Sequence, residues 1–140
     1  NKPRYSVMSE SRGNGKGNDF CSLEYLLVNL GRNQAAADRL IHIFIETSPA
    51  LCQRLENAAN QGDLPALRDV LHDIRSSCVL FSGTRCLDQA RDIEQLVRQH
   101  LLESRMGASA PDWVSMSAPL ILCLQCMSTE LKGFLTEKGS

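Results

Sequence analysis

Between Leu64 and Phe81 the apolar residues Leu64, Leu67, Leu71, Ile74, Cys78 and Phe81 recur at intervals of 3, 4, 3, 4 and 3. Residues spaced this way fall on a single stripe of an α-helix, the seam that a helix presents to its neighbours in a bundle. A strand would instead alternate at every second position. No segment of the chain shows such alternation between hairpin turns, so the expected class is all-α.

The same period continues on both sides of this helix. SLEYLLVNLG reads as a short apolar helix stopping at Gly31. Asn33 is placed to cap a longer helix with Ala37, Leu40, Ile41, Phe44, Leu51, Leu55 and Ala58 inward. Pro49 falls inside that pattern and is expected to kink or divide it. Gln61-Gly62 closes this helix and Asp63 caps the next, which Ser82-Gly83-Thr84 ends. A further helix carries Cys86, Leu87, Ala90, Ile93, Val97 and Leu101 inward. After a loop from Gly107 to Pro111, Asp112 or Ser109 opens the last helix, through Trp113, Met116, Leu120, Leu124, Met127, Leu131 and Leu135. Short loops force consecutive helices to run antiparallel. The expected architecture is an antiparallel up-and-down four-helix bundle with an additional short N-terminal helix. Residues 1–19, polar and rich in Gly, Ser and Asn, read as a disordered linker or tail, leaving residues 20–137 as the bundle domain.

With 140 residues, 43% of them hydrophobic, the chain can build a core without disulfides or metal. A formal net charge of −1 gives no electrostatic footprint for nucleic acid or an anionic membrane surface. The uninterrupted apolar runs are only a handful of residues long, too short to span a bilayer, and no secretory signal opens the chain. The absence of an initial Met points to a module of something longer. Cys52, Cys78, Cys86, Cys123 and Cys126 sit inside apolar helical stripes, with Cys21 near the start of the domain. Buried free thiols behave as small hydrophobes, and reduced cysteines fit a cytoplasmic setting.

One residue does not fit a plain bundle. On a wheel turning ~100° per residue, His72 points roughly 130° away from the centre of the Leu64–Phe81 stripe, toward solvent. Arg68, four residues before, and Arg75, three after, share its face, and Ser76 flanks it. An exposed His among arginines is, on composition alone, usually just a solvated helix face. Its chemistry nevertheless suits holding a phosphoryl group. An imidazole with the ordinary pKa of ~6.5 is largely neutral and nucleophilic near neutral pH. Guanidinium groups on either side suit phosphoryl oxygens through charge-assisted hydrogen bonds. No metal set, general base or nucleotide loop accompanies it, so such a site can carry phosphate but cannot make it.

The run Leu71-His72-Asp73-Ile74-Arg75-Ser76-Ser77, followed by Ser82-Gly83 and the helix opening at Thr84, resembles the signature of histidine phosphotransfer (HPt) domains. That signature is His-x-Leu-Lys-Gly-Ser, with a Gly about ten positions later and then a Leu-rich helix with a late Glu. His72 takes the place of the phosphorylated His, Ile74 of the aliphatic residue and Ser77 of the small polar one; Glu94 falls where the family's fourth helix packs beside the active His. The stretch from Glu46 to Leu71 is similar to the family's second helix and turn. Residues from about 20 to 103 carry the likeness, the last helix fitting only as a bundle member. Two positions depart from the pattern. The family's Lys is Arg75, and its Gly, whose missing side chain opens the surface beside the imidazole, is Ser76.

The resemblance implies a phosphorelay carrier. A receiver domain holding Mg²⁺ and an aspartyl phosphate would present the phosphorus to Nε2 of His72, and a second receiver's aspartate would take the group away. The domain itself would bind no cofactor or metal, the Mg²⁺ coming from the partner. Arg68, Arg75 and Ser76 would support the phosphoryl group, and Val79, Leu23, Leu26 and Leu27, expected to be exposed, would dock response-regulator receiver domains. The domain would have no catalytic machinery of its own, would be monomeric in isolation and would touch neither nucleic acid nor membrane. It would work in the cytoplasm, within a bacterial hybrid sensor histidine kinase held in the inner membrane. The alternative is a phosphorylation-deficient adaptor that only docks receivers.

Cys123-Leu-Gln-Cys126 is a lone CxxC. Redox pairs of this kind usually open a helix, and zinc sites need further ligands, whereas this pair lies within an apolar stripe and reads as core. His42, among Leu40, Ile41, Ile43 and Phe44, reads as a packing or partner-surface residue. His100 lies late in its helix, where positive charge is mildly favourable.

Overall fold

A computed structural model describes residues 20–107 and 109–139. The tail expected over residues 1–19 lies outside them. Five α-helices follow one another: α1 (Leu23–Asn29), α2 (Gln34–Gln61), α3 (Leu64–Leu80), α4 (Thr84–Glu103) and α5 (Trp113–Gly139), with a 3₁₀ turn, Ser104–Met106, after α4. No strand occurs among the described residues. The four long helices form a ring in which α2 packs on α3, α3 on α4, α4 on α5 and α5 on α2, while α1 leans against α2. This is the expected up-and-down bundle with its short additional helix.

The helix boundaries have local causes. Asn33 and Asp63 accept the backbone N–H groups of Ala36 and Ala66, three residues on, at 3.0 and 3.1 Å, satisfying donors that a helix start leaves bare. Asp112 does the same for Ser115 at the start of α5, at 3.1 Å, so Asp112 and not Ser109 opens that helix. Hydrogen bonds from Ser115 hold the Asp112 carboxyl below the usual carboxylate range. Gly62 ends α2 in the left-handed region at φ 62°, where a side chain is strained.

At the α3–α4 turn Ser82 takes the positive φ, 55°. Gly83 is needed there for space: a Cβ on it would stand 2.7 Å from Met127 Sδ and 3.3 Å from the Phe20 carbonyl. The turn also receives the start of α1, whose Ser22 N–H donates to the Phe81 carbonyl at 2.9 Å.

Each of the six seam residues of α3 except Leu64 is at most 1% exposed, and Leu64 packs on the edge of the core. From the other helices come Ile41, Phe44, Leu55, Cys86, Val97, Leu120, Leu124, Met127 and Leu131. The rings of Phe44 and Phe81 meet edge to face at 5.4 Å.

Of the kink or division expected at Pro49, division does not occur: α2 runs unbroken for 28 residues. The proline is on the solvent side, where the carbonyl that loses its donor can turn to water. Leu101 is 40% exposed rather than inward, because α4 is ending beside it. By length and composition, with mean hydropathy 1.3 over Trp113–Leu135, α5 is apolar enough to cross a membrane, as the core helix of a bundle can be, although its uninterrupted apolar runs are short. Small polar residues interrupt its apolar runs without lowering the average much, and its Leu120, Leu124, Met127 and Leu131 are buried in the bundle.

Candidate functional site

His72 lies at the middle of α3, with its side chain exposed on the face opposite α5. The cause is the register of the seam: Leu71 and Ile74 on either side are fully buried, which turns residue 72 outward. Asp73 and Arg75 are tethered to the flanking helices. Asp73 Oδ2 accepts from Arg54 Nη1 of α2 at 2.9 Å. Arg75 Nε stands 2.9 Å from Oε1 of Glu94 on α4. The Nε–H is not aimed at that oxygen, so the contact is an ion pair rather than an aligned hydrogen bond. His72 thus projects from a segment fixed on both sides.

The other expected site residues divide. Arg68 is exposed one turn before His72, with no ion pair among the described residues. Ser76 is exposed one turn after it, its hydroxyl donating to the His72 carbonyl at 3.1 Å. Val79 is 49% exposed, two turns along the same face. Leu23 and Leu27 are half-buried against the core. Leu26 is fully buried, so its expected exposure is wrong. The helix is so short that its stripe is consumed in sealing the bundle end. Ser22, next to Leu23, bonds Phe81, nine residues from His72 and therefore about 14 Å along α3.

A further cation comes from α4. Arg98 is one turn beyond Glu94, and His72 lies about one turn before Arg75. Because α3 and α4 are antiparallel and Glu94 meets Arg75, Arg98 comes level with His72. It is exposed, and its Nη1 donates to Gln95 at 3.3 Å. Sequence reasoning missed Arg98, because its position beside α3 depends on interhelical register, which the Arg75–Glu94 pair supplies.

The cysteines are drawn together in the core. Cys86 and Cys123 Sγ atoms are 2.7 Å apart, all six cysteines being free thiols. Burial first, and then its contact with Cys86, pushes Cys123 up to about 12. Cys86 is raised by a hydrogen bond with Cys78 and by burial, and Cys21 by burial and the Glu130 carboxylate. Such thiols stay protonated at neutral pH and are poor nucleophiles. His42 is exposed on α2, and His100 is half-buried with its ring 6.0 Å from that of Trp113.

Four long helices thus close into a ring, and His72 faces outward from the middle of one of them, with Arg68 and Arg75 on the same helix face. A family model described as the Hpt domain matches residues 39–133, more than half of the chain, and the chain belongs to that family. The family serves histidine phosphotransfer in the phosphorelays of two-component signalling, where its domains interact with receiver domains. The match runs well into α5, further than the likeness over residues 20–103 drawn from the motif. The fold is similar to that of the HPT domain from a sensor hybrid histidine kinase of Shewanella. That similarity has a TM-score of 0.66 and 12% identity, covering 81% of this chain and 92% of the other. A comparison with curated proteins found no match.

Proposed function

We propose that His72 is the phosphoryl carrier. Its Nε2 attacks the phosphorus of an aspartyl phosphate on a receiver domain; the N–P bond forms as the acyl P–O bond breaks, and the aspartate leaves as carboxylate. The reverse chemistry on a response-regulator aspartate discharges the domain. The Mg²⁺ belongs to the receiver, and this chain contributes position and charge. The observation that carries the reading is the exposure of His72 in mid-helix at the family motif, with Arg68 and Arg75 one turn to either side. Those guanidinium groups match the charge of a phosphoryl group that a neutral imidazole would otherwise hold alone in water.

In this reading the domain acts as a monomer in the cytoplasm, as a module of a hybrid sensor kinase anchored in the inner membrane. A receiver charged with acetyl phosphate and Mg²⁺ should label the domain, and His72→Gln should accept nothing while keeping its helicity. The label should be acid-labile and base-stable, as a phosphoramidate is. Label persisting in the variant would assign the carrier role to another residue. An adaptor that docks receivers without accepting phosphate is the second reading, favoured by Ser76 standing where the family has Gly. Receiver binding without label in the parent domain would establish it.

A further inference from the structure

We propose that Glu94 is a positioning residue that competes with the phosphoryl group for Arg75 and so shortens the time phosphate spends on His72. The inference rests on the phosphocarrier reading.

Two other ion pairs lie largely in water: Arg54–Asp73, with side chains 47% and 49% exposed, and Arg32–Glu24, at 62% and 66%. Exposed pairs of that kind hold their partners weakly. The Arg75–Glu94 pair differs, with side chains 33% and 15% exposed and the Arg75 Nε shut off from solvent. Charges partly withdrawn from water act on each other more strongly and are screened less by salt. Glu94 therefore holds the guanidinium against α4 by its Nε edge.

The two Nη groups of Arg75 make no hydrogen bond among the described residues. A phosphoryl group on His72, one turn back along α3, is the ligand placed to receive them. It must share the cation with a carboxylate, and it must also tolerate that carboxylate's charge. A phosphoramidate dianion and Glu94 on either side of Arg75 repel each other. Arg98, level with His72 on the same face of α4, offsets that repulsion only in part, since it is exposed and hydrated. The net effect is a carrier that loads less fully and passes its phosphate on readily.

Glu94→Gln tests this with little change of shape, because the amide oxygen still faces Arg75 while the charge is gone. Two quantities are measured on the full chain. The first is the ratio of phosphohistidine to phosphoaspartate at equilibrium with a charged receiver. It should rise about three- to tenfold, the scale expected from removing one like charge near a dianion at partly solvated separation. The second is the Arg75 Nε–H resonance of the unphosphorylated domain, which should shift and exchange faster with water in the variant. Glu94→Asp, shorter by one methylene but still charged, should keep the ratio near the parental value. An unchanged ratio in Glu94→Gln would reduce Glu94 to a structural strut, and a lowered ratio would make it an aid to loading; either overturns the proposal. A parent domain that never accepts phosphate would instead defeat the phosphocarrier reading, a failure visible without any Glu94 variant.

Discussion

The hydroxyl of Ser76 donates to the carbonyl of His72 across 3.1 Å, back along the helix that carries both. This bond fixes the serine oxygen against the backbone and keeps its proton from the space above the imidazole. The side chain then contributes bulk, not a hydrogen bond, where a receiver must approach. Ser76→Gly should accelerate transfer, and Ser76→Ala, which retains the Cβ, should leave it near the parental rate. The glycine variant should lose about 0.5–1 kcal/mol of stability as an exposed mid-helix glycine. Rapid-quench transfer rates decide the matter: a slower Ser76→Ala would show that the hydroxyl turns to the phosphoryl group during transfer.

Docking should depend on Val79 and Arg68 in different ways. Val79 offers an exposed apolar surface on the His72 face, whereas Arg68 is an exposed charge. Val79→Lys should weaken receiver binding at every ionic strength, and Arg68→Glu mainly at low salt, where screening is least. Leu26→Ala should lose about 2–5 kcal/mol of folding stability, the range for emptying a core leucine site, because Leu26 is fully buried. Receiver titrations followed by NMR, with melting curves for each variant, separate the two kinds of effect. Parental binding by both Val79→Lys and Arg68→Glu would move the docking face elsewhere on the bundle.

How far the sequence reaches is visible in these residues. The outward direction of His72 and the inward direction of Leu71 and Ile74 follow from helical period alone, because a long stripe has one buried face. Caps at Asn33 and Asp63 are legible for the same local reason, the side chain satisfying a donor three residues away, whereas Asp112 and Ser109 were both open until the Asp112–Ser115 bond decided between them. Leu26 misled because a seven-residue helix has too few turns to distinguish a covered face from an open one. Arg98 and the pairing of Arg75 with Glu94 were hidden for a different reason, the family likeness having put Glu94 beside the active His without naming its partner. They depend on how α3 and α4 slide against each other, and the residue types that set this register are spread along both helices.

Gly83 should tolerate no side chain without cost. Its added Cβ would meet Met127 Sδ at 2.7 Å and the Phe20 carbonyl at 3.3 Å. Methionine can move its sulfur, but Met127 is fully buried and its movement must displace other core groups. Gly83→Ala should cost about 1–3 kcal/mol, as overpacking does, and lower the melting temperature without altering the site chemistry. An unchanged melting curve would show that the α3–α4 turn has slack.

The buried thiols set an alkaline limit to stability. Cys21, Cys86 and Cys123 are all raised in the folded domain, while a thiol in the unfolded chain ionises near its ordinary pKa of about 8.5. Below that pH both states keep their protons, and these groups add no pH dependence. Above it the unfolded chain binds fewer protons than the folded one, so stability must fall as pH rises. For Cys123 this loss continues until its folded-state value of about 12. Denaturant titrations at a series of pH values should therefore show the midpoint dropping from about pH 9 upward. Cys123→Ala keeps a small apolar group at the site and removes one ionisable thiol, so its midpoint should fall less steeply above pH 9 whatever its stability at neutral pH. Parallel curves for the parent and Cys123→Ala would mean that this thiol ionises as easily in the folded core as in the open chain.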